Sequence, residues 1–227
     1  MIISPSLKMN PEQSPLCKNV ARLFAVVAWL GVLLQLWLSI RMGLINGKTV
    51  GGGLIAFFGY FTVLTNIFVA LVFTAGSLRP RSWIYGISMV GCSTTAILIV
   101  GIGYHFLLRE IWDPQGPQWV ADILLHYVVP VGALLHWLVY SRQEQTSGWA
   151  PLSWCCYPIL YFVYVMMRGE ITHSYPYPFI DVTTIGYAQT ITNSAAFLLG
   201  FVAMSYGILK LRKAVRSGVD VCNEGRC

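Results

Sequence analysis

Apolar residues fall in six long runs, separated by short segments that hold most of the charge. The runs are Asn19 to Leu44, Gly53 to Gly76, Trp83 to Leu108, Pro117 to Tyr140, Pro151 to Met167 and Ile185 to Leu211. Each is close to the roughly 20 residues that a helix needs to cross a bilayer. Inside lipid such a run must satisfy its own backbone hydrogen bonds, so each reads as a helix. Short connections make neighbouring helices antiparallel. No internal repeat and no second domain is visible. The expected fold is all-α: a polytopic membrane protein, residues 1–227 forming one six-helix transmembrane bundle.

Composition supports the same class. The chain is 56% apolar and only 11% charged, where a soluble domain carries about 25% charged residues. A disordered chain needs the opposite balance. The net charge of +6 does not indicate nucleic acid, because the basic residues flank apolar runs rather than form a soluble patch. Eleven of the fifteen Lys and Arg (Lys8, Lys18, Arg22, Arg79, Arg81, Arg142, Lys210, Arg212, Lys213, Arg216, Arg226) fall on one side of this topology. Arg41, Lys48, Arg109 and Arg168 fall on the other. The excess assigns both termini to the cytoplasm, and the loops near 45–52, 109–116 and 168–184 to the outer side.

Several local features are read alongside. The polar, proline-dotted start up to Lys18 does not resemble a cleavable signal peptide. The six cysteines show no Cys-x-x-Cys pair and no zinc spacing, so no metal and no disulfide framework are expected. Gly51-Gly52-Gly53 reads as a flexible start to the second helix. Tyr175-Pro176-Tyr177-Pro178-Phe179 cannot be regular helix, with two prolines two residues apart. It is expected to lie extended at the outer interface.

Polar residues within apolar runs face a bundle interior more often than lipid, and are functional candidates. Thr62, Thr65 and Asn66 share one side of the second helix by i, i+3, i+4 spacing. Asp122 and His126 are four apart in the fourth. Gln189, Thr192 and Asn193 repeat the first pattern in the sixth. The three sets are expected to converge on one outer-half cavity. Each also has a packing role available, since Thr often bonds the carbonyl four residues back and Asn and Gln often tie helices together. His126 is ionisable and deep in an apolar run. Pro130 leaves its carbonyl without a helical donor, which predicts a kink at the histidine. His105 can reach the same cavity. His136 shares a helix with His126 about 15 Å away, so the two cannot ligate one haem, and no cofactor is expected.

Phe61-Thr62-Val63-Leu64-Thr65-Asn66, Leu125-His126-Tyr127-Val128-Val129-Pro130, and Arg168-Gly169 followed by Tyr175-Pro176-Tyr177-Pro178-Phe179-Ile180-Asp181 carry a family likeness. Together the chain resembles the bacterial Pr6Pr family of six-helix membrane proteins, which is similar to the animal androgen-induced gene family of membrane threonine hydrolases. The resemblance implies an intramembrane Thr nucleophile and a His, matching Thr65 and His126 here, with Thr62 as a second available hydroxyl. It implies a lipid-ester substrate, such as fatty acid esters of hydroxy fatty acids, and location in a bacterial inner membrane.

On this reading His126 is the general base, Asp122 orients its ring, and Asn66, Asn193 or Gln189 contacts an oxyanion or substrate. Arg168 holds a carboxylate or phosphate, and His105 lies within reach. Membrane lipids and the ester are the expected partners, and nucleic acid is not. The alternative is a non-enzymatic lipid or small-molecule binding protein, or a permease. The topology is directly checkable: a fluorescent protein fused to the C-terminus should fluoresce in the cytoplasm, and a phosphatase active only outside it should be silent there. The reverse pattern would overturn the charge-based orientation.

Overall fold

The computed structural model describes residues 15–140 and 146–223. Among them the chain forms helices α1 (Pro15–Ile45), α2 (Val50–Gly59), α3 (Phe61–Leu78), α4 (Ile87–Leu108), α5 (Pro117–Val139), α6 (Ala150–Thr172) and α7 (Val182–Asn223), and no strand. Six of these, all but α2, are long and apolar enough to cross a membrane. The protein is an all-α, multi-pass integral membrane protein.

Side-chain contacts show that the spans alternate in direction. At the end nearer the termini, Arg22 at the start of α1 donates to Ser77 at the end of α3 (3.3 Å). Tyr85, just before α4, meets His136 at the end of α5 (2.7 Å). Trp137 of α5 donates to the Ile208 carbonyl late in α7 (3.2 Å). At the opposite end, Gln118 near the start of α5 donates to Gln35 (2.8 Å), and Tyr187 early in α7 donates to Glu170 at the end of α6 (2.7 Å).

The expected second helix is broken. Tyr60 is extended (φ −85°, ψ 130°), so Gly53 to Gly76 is divided between α2 and α3. The cause is the partner of the last α2 carbonyls. Tyr161 donates to Gly59 O (3.0 Å), Tyr164 to Phe58 O (3.2 Å) and Arg168 Nε to Ile55 O (3.2 Å). Tyr161 and Tyr164 thus take the two carbonyls that a continuing helix would use itself, and Arg168 adds a contact one turn further back on α2. Gly51-Gly52-Gly53 is not a flexible start either. All three glycines lie inside α2, which Thr49 caps by accepting from Gly52 N–H (3.2 Å). A Cβ on Gly53 would stand 2.7 Å from the Ile40 Cα, so glycine is what allows α2 to lie against α1.

Other glycines seat aromatic rings: Tyr85 on Gly76, Trp154 on Gly91, Phe24 on Gly132 and Tyr175 on Gly169. Small residues permit close backbone approach in membrane bundles, and here the close partner is often a ring. The fifth run proves longer than expected, reaching Thr172. In α7 the sixth run starts earlier, at Val182, and is kinked at Gly186 (φ 74°).

Replacing Gly53 by Val should lower stability by about 1 to 3 kcal/mol through overpacking against a backbone that cannot yield. Gly103, whose Cβ would meet nothing within 4 Å, should accept Ala with little change. Thermal melting of detergent-solubilised protein checks both, and equal melting of the two variants would refute the packing account.

Candidate functional site

The fourth apolar run is irregular at His126. Residues Leu124–Val128 form a π-turn, a feature often found at functional positions. Pro130 has no N–H to give back to the His126 carbonyl. That carbonyl faces Gly101 of α4, where a Cβ would stand 2.9 Å from the oxygen and 3.3 Å from the Pro130 ring. A second π-turn, Tyr104–Leu108, lies at the end of α4. The two turns place their aromatic and ionisable groups together.

His126 Nδ1 is 3.2 Å from Asp122 Oδ1 and 3.1 Å from the Asp122 carbonyl. Both oxygens accept, so Nδ1 carries a hydrogen. The imidazole stacks on Tyr104, with ring centroids 4.0 Å apart and planes 17° from parallel. The Asp122 carboxylate is buried and also faces the Tyr104 phenol. His105 Nδ1 meets the Tyr127 hydroxyl at 3.2 Å. Asp122, His126, Tyr104, His105 and Tyr127 are therefore one half-buried group between α4 and α5.

The threonines of α3 divide between two neighbours. Thr65 is fully buried, and its hydroxyl bonds Tyr157 of α6 (3.0 Å) rather than His126. Asn66 points the other way. Its amide nitrogen bonds the Thr62 carbonyl (2.9 Å) and the Leu125 carbonyl (3.3 Å), the residue before His126. Asn66 is level with the histidine turn, so Thr65 and His126 differ in direction and not in depth. Thr62 is four residues from Asn66, on the same face, and is only half-buried. The Asn66 side-chain oxygen, fully buried, accepts no hydrogen bond.

The sixth-helix set is placed differently from expectation. Gln189 and Thr192 are exposed on α7, and the buried polar residue of that stretch is Thr190, which bonds Gly186 O (3.0 Å). The kink at Gly186 turns the helix so that Thr190 faces inward. Gln189 donates to Asn193 (2.8 Å), and Asn193 to Phe179 O (2.8 Å). These residues fasten the loop before α7 rather than join the histidine group. The amide nitrogens of Asn66, Asn193 and Gln189, the expected oxyanion contacts, are all engaged with protein oxygens.

Arg168 is likewise a clasp. Besides Ile55 O it bonds Ser174 O (2.8 Å), so it joins α2 to the 173–181 loop. The Tyr-Pro-Tyr-Pro-Phe segment is non-helical up to a 3-10 turn at Pro178–Ile180. It does not lie wholly at the surface, because Tyr177 is only 8% exposed. The Tyr177 hydroxyl reaches the Thr62 N–H (3.3 Å) and Thr62 Oγ1 (3.4 Å). Burial pushes the Tyr177 phenol up to about 12, so it remains protonated across ordinary pH. Tyr104, Tyr157 and Tyr177 were not anticipated as site residues. Tyrosines near helix ends read as interfacial anchors, and nothing in the spacing assigns them partners.

No family model, no curated protein and no solved structure matches this chain.

Replacing Arg168 by Ala should free the 173–181 loop, because two carbonyls lose a charged donor and such bonds contribute about 1.5 to 3 kcal/mol. Amide exchange in that loop should quicken at least tenfold while α4 and α5 keep their protection. Unchanged loop exchange would show that Arg168 does not hold it.

Proposed function

We propose that this protein is an intramembrane hydrolase of lipid esters, with His126 as general base, Asp122 as the group that orients it, and a threonine of the Phe61–Asn66 run as nucleophile. The observation that carries the reading is the Asn66 bridge. It ties the first turn of α3, which bears Thr62, to the π-turn of α5 that bears His126. The Nδ1 contacts with Asp122 support a base whose lone pair lies on Nε2. Of the two hydroxyls we take Thr62 as the nucleophile, because it is half-buried and shares a face with Asn66, whereas Thr65 is fully buried against Tyr157. The resemblance to six-helix membrane threonine hydrolases, through Phe61–Asn66 and Leu125–Pro130, points the same way.

The reaction follows ordinary acyl transfer. The Thr62 hydroxyl proton passes to His126 Nε2 as Oγ1 bonds the ester carbonyl carbon. The carbonyl π pair moves onto oxygen. Collapse of that intermediate breaks the acyl carbon–oxygen bond, and the departing alcohol takes the proton from the imidazolium. Water repeats the sequence on the acyl-threonine and releases the fatty acid. A lipid ester suits the setting, because the site lies between membrane-spanning helices. We place the termini in the cytoplasm and the protein in a bacterial inner membrane, from the Lys and Arg distribution and from the resemblance.

Detergent-solubilised protein treated with a long-chain fluorophosphonate should gain one adduct on Thr62, with the P–F bond replaced by P–Oγ. Thr62→Ala and His126→Ala should each lower hydrolysis of a long-chain acyl ester by about 100-fold or more. An adduct on Thr65 instead would return the nucleophile to that residue. Full turnover in both variants, with no adduct in the native protein, would favour the competing reading of a lipid-binding protein.

A further inference from the structure

We infer that Tyr177 is a further catalytic residue of this acyl transfer: its hydroxyl holds Thr62 Oγ1 and stabilises the charge that develops there. The inference rests on the hydrolase reading, since it takes Thr62 as the nucleophile.

The hydrogen bonds hold the phenol against two atoms of Thr62. The Thr62 N–H can only donate, so the Tyr177 oxygen accepts from it (3.3 Å). The phenol hydrogen can turn to Thr62 Oγ1 (3.4 Å) once that oxygen has given up its own proton. The Thr62 carbonyl is turned away, toward Asn66 (2.9 Å).

The ring is held so that this contact persists. Tyr177 stacks on Phe179 (5.1 Å between centroids, 15° between planes) and takes the edge of Tyr60 (5.7 Å, 84°). Loop and helix are tied to one another through Arg168, and Asn193 fixes the Phe179 carbonyl. The phenol is thus preorganised beside Thr62 Oγ1.

Its effect falls on the transition state. As the Oγ1–H bond breaks and the proton moves to His126 Nε2, negative charge grows on Oγ1 until its electron pair bonds the acyl carbon. A hydrogen bond to a charged acceptor is about twice as strong as one to a neutral acceptor. The Tyr177 proton stays on the phenol throughout, so the step is balanced with His126 as the only proton acceptor. An interaction that strengthens as charge appears raises the rate rather than only the affinity. The amides of Asn66, Asn193 and Gln189 bond other oxygens, whereas this phenol lies against Thr62 Oγ1.

A purely protective cap would act in the opposite sense, because removing it would uncover Thr62. Tyr177→Phe separates the two. In the full-length, detergent-solubilised protein, the saturating rate of Thr62 labelling by the long-chain fluorophosphonate should fall about 100-fold, the size expected for loss of one such donor. The concentration giving half-saturation and the melting temperature should stay as in the native protein. Labelling as fast as native, or faster, would overturn the role. A second variant keeps both ring and hydroxyl: 3-fluorotyrosine at position 177 ionises at lower pH than tyrosine. Its labelling should decline at lower pH than in native protein, and superimposable pH profiles would overturn the inference. If native protein is not labelled at all, the hydrolase reading falls, and the role of Tyr177 with it. Native labelling with an unaffected Tyr177→Phe rejects the phenol alone.

Discussion

A helix that stops inside a membrane protein must find donors for its last carbonyls, because lipid offers none. In this chain α6 supplies them. Tyr161, Tyr164 and Arg168 reach the carbonyls of Gly59, Phe58 and Ile55, and the chain breaks at Tyr60. The Thr62 half of the candidate site follows from that position. Because α3 starts at Phe61, Thr62 stands in its first turn, where the backbone N–H groups lack helical partners. Its N–H therefore meets a side chain, the Tyr177 phenol. Had the helix run on unbroken, that N–H would have been closed by Phe58 O and the contact would not exist.

The other half of the site depends on a second break of the same kind. Pro130 frees the His126 carbonyl, and the π-turn at Leu124–Val128 absorbs the resulting mismatch. The freed oxygen lies over Gly101, where any larger residue would push α4 and α5 apart. Close approach of these helices brings Tyr104 flat against His126 and the Asp122 carboxylate near both. Polar groups this far inside need partners to offset their desolvation. The i, i+4 pairing of Asp122 and His126 provides one within a single helix, which is why it withstands local irregularity.

How much of this is legible in the sequence depends on the range of each interaction. Membrane crossing is written locally in apolar run length, so six spans are readable and lie close to where the runs predict. The Asp122–His126 pair and the irregularity at His126 are readable too, since both are set by residues four apart. The break at Tyr60 is not, because Gly59-Tyr60 is no helix stop and the carbonyl donors come from residues a hundred positions away. Thr62 and Thr65 look equivalent by spacing. At 100° per residue they differ by about 60° around the helix axis, enough to face different neighbours. Only the surroundings, Tyr157 against Thr65 and Tyr177 against Thr62, tell them apart. Gln189 and Asn193 mislead for a similar reason: the turn at Gly186 resets which face of α7 looks inward, and a glycine in an apolar run does not announce a positive φ.

Arg168 links these separate features. One guanidinium bonds Ile55 O in α2 and Ser174 O in the loop, while Gly59 leaves room for it and Gly169 leaves room for Tyr175. Arg-Gly and Tyr-Pro-Tyr-Pro-Phe are therefore one structural unit, in which the arginine ties α2, just ahead of the break, to the loop that brings Tyr177 to the Thr62 N–H. Lysine could not serve, since reaching two carbonyls on separate elements needs the planar fork of several N–H groups. The residue that sequence suggests as an anion clamp instead aligns two backbones, and through them two hydroxyls. Its charge is engaged with carbonyls in a setting where unpaired charge is costly, so the arginine reads as part of the scaffold that holds the site rather than as a ligand contact.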